Sequence, residues 1–206
     1  MFRKKIKLRK NNRGMTYVEL IVVLGIVGAM TSVIIFNYGS FQAKVDIRNL
    51  ANDVALKIVE AQKSAMSGKL PITGLPSPDW KPSYGVYFNS SASPDIDSIP
   101  FNKKIVYFVD NDSDGFLATQ GELLNPTTII TKNNFIKSLT ISGSGNCAPT
   151  KDLSIVFRRS DSVVKIKSTD PNFSGCVVSF ASIIVSSSKG DESEILIYPS
   201  GRIEMN

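Results

Sequence analysis

The chain has 206 residues, with 24 lysines and arginines against 18 aspartates and glutamates and no histidine, a formal net charge of +6. Without histidine there is no Ser-His-Asp or Cys-His arrangement and none of the common histidine-based metal-hydrolase motifs. The acid pairs Asp95 with Asp97 and Asp191 with Glu192 lie in polar runs and read as solvated charge, and Gly143-Ser144-Gly145 is too short for a phosphate loop and lacks a following lysine, so the expected class is not an enzyme.

The first thirteen residues form a basic arm, with Arg3, Lys4, Lys5, Lys7, Arg9, Lys10 and Arg13 and no acid. By the positive-inside rule such an arm stays in the cytoplasm. Gly14, Met15, Thr16, Tyr17, Val18 and Glu19 follow, and from Leu20 onward no charge occurs until Lys44. An apolar run of this kind is long enough to cross much or all of a bilayer core, which takes about 20 helical residues. A lone carboxylate at its head costs several kcal/mol unless it is paired, so Glu19 is a candidate functional residue. No Ala-x-Ala pattern follows the apolar run, which places a processing cut before it rather than after it. Removing the seven leader cations leaves 17 basic against 18 acidic residues, a net charge of −1. The sequence pI of 9.3 therefore belongs to the arm and does not point to nucleic acid.

Basic leader, Gly14, Met15, Glu19 and the apolar run together resemble the class III signal of type IV pilins and type II secretion pseudopilins. The resemblance implies cleavage between Gly14 and Met15 by a membrane-embedded prepilin peptidase, and methylation of the new Met15 amine. It also implies a filament-assembly role for Glu19, whose carboxylate would compensate the amine of a neighbouring subunit. Implied partners are the prepilin peptidase, other pilin or pseudopilin subunits, the membrane and an assembly platform. The implied location is the cytoplasmic membrane, single pass with the head outside, and then a pilus or pseudopilus at the cell surface or in the periplasm. Relatives often carry a proline near the position of Phe36, and this chain has none.

Beyond residue 40 the helix is expected to continue. Ile47, Leu50, Val54, Ile58, Ala61 and Ala65 step by three or four, with Asp46, Arg48, Asn49, Asn52, Asp53, Lys57, Glu60 and Lys63 on the other face. Gly68 supplies a stop and Pro71 prevents resumption. A helix over 15–67 would be on the order of 80 Å long; the alternative is two helices broken around 37–40. The expected organisation is a cleaved leader (1–14), a transmembrane and polymerisation helix (15–40), an amphipathic continuation (41–67) and a β-rich head (68–206).

Residues 68–83 carry Pro71, Pro76, Pro78 and Pro82 and read as an irregular connection. Strands are predicted at 84–88, 105–109, 139–142, 153–158, 163–167, 177–185 and 195–198, with a hairpin turn at 159–162 and surface loops at 89–100 and 143–151. One helix followed by consecutive strands predicts an α+β fold, with an antiparallel sheet against the helix stripe. The segments 49–65, 83–88 and 197–203, the last centred on Tyr198 to Arg202, are similar to the GspH/FimT-like minor pilins.

Asp110, Asp112, Asp114 and Phe116 occupy alternate positions, with Gly115 placed for a sharp turn, as in the first half of an EF-hand-type calcium loop. The twelfth position is Gly121, and the nearest acid, Glu122, is one residue late. These five positions are candidate calcium ligands, and the same composition also serves as a plain acidic turn. No cofactor is required by this reading, and calcium is the one that fits. Cys147 and Cys176 are the only cysteines. Two cysteines without histidine cannot make a four-ligand zinc site, so a disulfide is expected outside the cytoplasm, with free thiols as the reducing alternative.

The function expected is that of a structural subunit, a minor pilin or pseudopilin of a type IV pilus or type II secretion pseudopilus. An alternative is a DNA-uptake minor pilin using Arg158, Arg159, Lys165, Lys167 and Arg202. Arg202 is followed by Ile203-Glu204-Met205-Asn206 without another cation, a departure from the DNA-binding pattern, so DNA is not an expected partner.

Overall fold

A computed structural model describes residues 14–70, 81, 83–94, 98–117, 122, 127–159, 161, 163–173 and 175–206. The basic arm, the four prolines of the predicted connection, Asp95, Asp97, Gly121 and part of the predicted turn at 159–162 lie outside the described residues.

A single long helix, α1 (Tyr17–Ser67), opens the fold and is helical throughout 37–40, so the two-helix alternative is not adopted. Thr16 heads it: its hydroxyl accepts the Glu19 backbone N–H at 3.3 Å, satisfying one of the N–H groups that a helix start leaves open. Its end follows from Gly68, which takes φ +67. The Gly68 N–H then reaches the Ala65 carbonyl and the Lys69 N–H the Ser64 carbonyl, each at 3.2 Å, the paired bonds of a left-handed glycine stop. The Tyr84 hydroxyl adds a bond to the Lys69 carbonyl at 2.7 Å.

The chain divides into two compact units, one ending at Phe41 and one comprising Gln42–Asn206. In the first, α1 is long and apolar enough to cross a membrane, with a mean hydropathy of 2.5 over its best window and none of that window buried within the protein. Two of its hydroxyls are spent inside the helix, Thr31 Oγ1 donating to the Val27 carbonyl and Ser32 Oγ to that of Ala29, so these two carry no open donor toward an apolar medium.

The second unit joins the C-terminal part of α1 to ten strands: β1 (Ser83–Asn89), β2 (Lys104–Val109), β3 (Thr128–Ile129), β4 (Phe135–Ser144), β5 (Pro149–Thr150), β6 (Asp152–Arg158), β7 (Lys165–Lys167), β8 (Val177–Ser186), β9 (Glu192–Ile197) and β10 (Ile203–Met205). They form two five-stranded sheets, ordered β3-β2-β1-β6-β7 and β10-β9-β8-β4-β5. Every strand pairing in them is antiparallel. The fold is thus α+β, but the one sheet expected is two. Strand spacing reveals how many strands there are and not which ones pair: β5 and β6 are separated by Lys151 alone and still belong to different sheets.

All six predicted stripe residues are buried, and Ala51 joins them. They share one apolar cluster with Tyr84, Val86 and Phe88 of β1, Ile155 of β6 and Leu139, Ile183 and Ile195 of the second sheet. Alternate residues of β1 point into it, as the period of a strand requires. Four predictions are corrected in extent. β4 is longer than 139–142, and the loop expected at 143–151 contains the end of β4 and all of β5. The predicted 163–167 strand shortens to β7, because the Val164 N–H donates to the Pro199 carbonyl at 2.8 Å instead of entering the β6 ladder. In the loop expected at 89–100, Asn89 ends β1 and Pro94 bridges Pro100. β3 and β10, two and three residues long, gave no readable alternation.

Ile58 is fully buried and Leu56, two residues away, is 64 % exposed. Ile58→Ala is expected to lower stability by about 2–5 kcal/mol, and Leu56→Ala by less than about 0.5 kcal/mol. Denaturant titrations of the full chain in detergent micelles check both.

Candidate functional site

The predicted processing and assembly residues lie together at the start of α1. Gly14, Met15 and Thr16 are non-helical and exposed, so the Gly14–Met15 bond stands clear of the helix in open chain. Glu19 sits in the first turn, exposed, where its carboxylate faces the positive end of the helix dipole. In this single chain that placement is a local helix-start arrangement.

The acidic loop is built on the end of β2. Asp110 continues β2, with its N–H on the Ser83 carbonyl at 3.1 Å. Its side chain accepts the Ser83 hydroxyl at 3.0 Å and the Gly115 backbone N–H. Asp112 Oδ1 accepts the Asp114 N–H at 3.1 Å, and Asp114 Oδ1 the Phe116 N–H at 2.7 Å, so short aspartate turns shape the loop. Glu122 Oε1 accepts the Asn111 N–H at 3.2 Å. One carboxylate oxygen each from Asp110, Asp112 and Glu122 lies within 4.8 Å of the others. The structure therefore brings Glu122 to the loop despite its late position, while the Asp114 carboxylate is not part of this close group.

Asp110 is 0 % and Glu122 2 % exposed. Burial raises the Asp110 carboxyl above its ordinary range; the Ser83 hydroxyl and Gly115 N–H oppose this, and the Asp112 and Asp114 charges add to it. Three converging carboxylate oxygens form a hard donor set of the kind calcium takes, though fewer than the six to eight oxygens it prefers.

Of the cations assigned to the nucleic-acid alternative, Arg158, Lys167 and Arg202 are engaged within the protein. Arg158, Lys165 and Lys167 share the face of the first sheet that points away from α1, as their registers with Ser83, Val156 and Ser154 show. Arg158 donates to the Ser113 carbonyl at 3.0 Å and lies 3.8 Å from Asp161. Lys167 donates to the Asp114 carbonyl and stands 4.7 Å from the centre of the Phe116 ring. Arg159 is exposed at the end of β6. Arg202 sits in the turn before β10, next to Gly201, whose Cβ position is 3.6 Å from Val164, and is paired with Glu204 at 3.0 Å and stacked on Tyr198 at 4.0 Å. Sequence reading missed the internal use of Arg158 and Lys167, because their partners are backbone carbonyls about 45 to 53 residues away, which no side-chain pattern announces.

Cys147 and Cys176 form the expected disulfide. It closes the end of the β4–β8 ladder, where Ser144 faces Val177 and a register shift follows Ser142. Two glycines allow that closeness: a Cβ on Gly143 would lie 2.0 Å from the Val177 carbonyl oxygen, and one on Gly145, at φ +90, 2.4 Å from that of Gly175. On the opposite side, Lys132 meets Asp46 of α1 at 2.7 Å and holds the Asp46 carboxyl below its usual range. Lys132 and Asn133 both take φ 58 in the turn closed by Thr131 and Asn134, a costly geometry outside glycine.

Comparison with family models, with curated proteins and with solved structures finds no match to this chain.

Two outcomes follow from these geometries. Because the folded pKa of Asp110 stands above its unfolded value, its contribution to stability is present at low pH and lost as pH rises through the folded value. In chelating buffer, Asp110→Asn is expected to raise the melting temperature at neutral pH, with the gain vanishing as pH falls into the ordinary carboxylate range; melting curves across pH read it. Replacing both cysteines by serine is expected to cost roughly 3 kcal/mol, from the loop closed by the bridge, measured by denaturant unfolding under oxidising conditions.

Proposed function

We propose that the chain is a structural subunit of a type IV pilus or type II secretion pseudopilus, of the minor pilin or pseudopilin kind, cut after Gly14 and polymerised through α1. The observation that carries this reading is the sequence of features at the N-terminal end. An exposed Gly14–Met15 bond directly precedes a membrane-length helix whose uncharged span is headed by Glu19 alone.

In a helix bundle within lipid or a filament core, a carboxylate there needs a cation, and the methylated Met15 amine of a neighbouring subunit supplies one. Losing one member of such a buried pair costs about 3–5 kcal/mol, because the other charge remains. The α+β unit of Gln42–Asn206 then serves as the displayed head. Processing is the work of a prepilin peptidase, and assembly that of other pilin-like subunits with a membrane platform. The same reading takes Asp110, Asp112 and Glu122 as a seat for one calcium ion that stiffens the head. Addition of calcium to chelated protein is then expected to raise the melting temperature, and Asp110→Asn to abolish the rise; no calcium response in the natural chain assigns the loop to a plain turn.

Peptide mass spectrometry of sheared surface filaments tests the main reading. The expected finding is a peptide beginning at Met15 with one added methyl group, at trace level for a minor subunit and at high level for a major one. A chain found only in membranes, with residues 1–14 still attached, overturns it.

A further inference from the structure

Phe108 and Val156 are buried although they face away from α1, and neither belongs to the cluster that α1 shares with the two sheets. They flank Gly85, which pairs with Phe108 on one side and Val156 on the other. A Cβ on Gly85 would fall 2.6 Å from the Phe108 ring and 2.9 Å from a Val156 methyl, so side chains lie directly over the β1 backbone. This makes an apolar row on the outer face of the first sheet.

The acidic loop is fastened across that same face. Arg158 holds the Ser113 carbonyl, Lys167 holds the Asp114 carbonyl and covers the half-buried Phe116 ring, and the Lys167 stem passes 3.1 Å from where a Cβ on Gly115 would be. Ser83 fixes the near end through Asp110. Beyond its first two residues, whose N–H groups go to the Ser83 carbonyl and to Glu122, the loop is shaped by local bonds, Asp112 to Asp114 and Asp114 to Phe116. From Asn111 onward side-chain bonds rather than a strand ladder tie the loop down, the condition under which a segment opens at lower cost than the core.

We propose that residues 110–117 are a strap that closes over the Phe108–Val156 row, with Arg158 and Lys167 as its fasteners, and that it opens as a unit while the two sheets stay folded. The inference is independent of calcium and of filament assembly.

Hydrogen exchange followed by mass spectrometry, on the full chain in detergent micelles with a chelator present, tests it. In the natural chain, peptides covering 110–117 are expected to exchange well before those of β6 and β8. Lys167→Met and Arg158→Met should each speed exchange of 110–117 by about tenfold, the effect of losing a hydrogen bond from a charged donor. Lys167→Arg, which keeps the cation, should stay close to the natural rate. Exchange of 110–117 only in step with β6 and β8 in the natural chain overturns the strap. So does a natural rate in the Lys167→Met, Arg158→Met double variant, or a Lys167→Arg chain that behaves like Lys167→Met.

Discussion

The second unit depends on one apolar stripe. Ile47, Leu50, Val54, Ile58, Ala61 and Ala65 are all buried on the same side of α1, and inward residues of two separate sheets close on them. Neither sheet has enough apolar surface of its own to form a stable layer without a partner, since a sheet must bury one face against another element. The helix supplies that partner for both. The small residues Ala51, Ala61 and Ala65 are buried along it as fully as the larger Val54 and Ile58. Burial on this scale, at about 25 cal/mol per Å² of apolar surface, is the main force available to hold the head together.

Charge is handled locally around that core. Buried acids are met by hydroxyls and backbone N–H groups: Asp110 by Ser83 and Gly115, and Asp152 by Ser168 at 3.1 Å and the Thr169 N–H at 3.0 Å. Cations are used to pin backbone, as Arg158 and Lys167 do for the loop, or to close one element on another, as Lys132 does with Asp46. The disulfide does the same for the far end of β4 and β8, where tight packing demands glycine. Each device restrains a connection that the core does not reach.

The proposed subunit role gives the two units different tasks. The uncharged part of α1 offers apolar surface with the Thr31 and Ser32 hydroxyls already satisfied, suited to lipid or to other helices. Glu19 is then the one charged feature, at the head of that stretch, that sets register between neighbours, a use for which a buried ion pair is well suited. On that proposal, the disulfide and the fastened loop give the head its durability.

What the sequence by itself determined is whatever has a short period or a local cause. The helix stripe, its glycine stop, the apolar run with its lone acid and seven predicted strands were legible because each depends on residues a few positions apart. The cysteine pairing was legible because there are only two. The tertiary structure decided what depends on distant partners. It divided the strands between two sheets, drew Val164 out of β7 toward Pro199, carried Glu122 to Asp110 and turned Arg158 and Lys167 onto the acidic loop. Strand partners and side-chain-to-carbonyl bonds are set by where the chain crosses itself in space. A carbonyl carries no sequence label, so no pattern along the chain records those crossings.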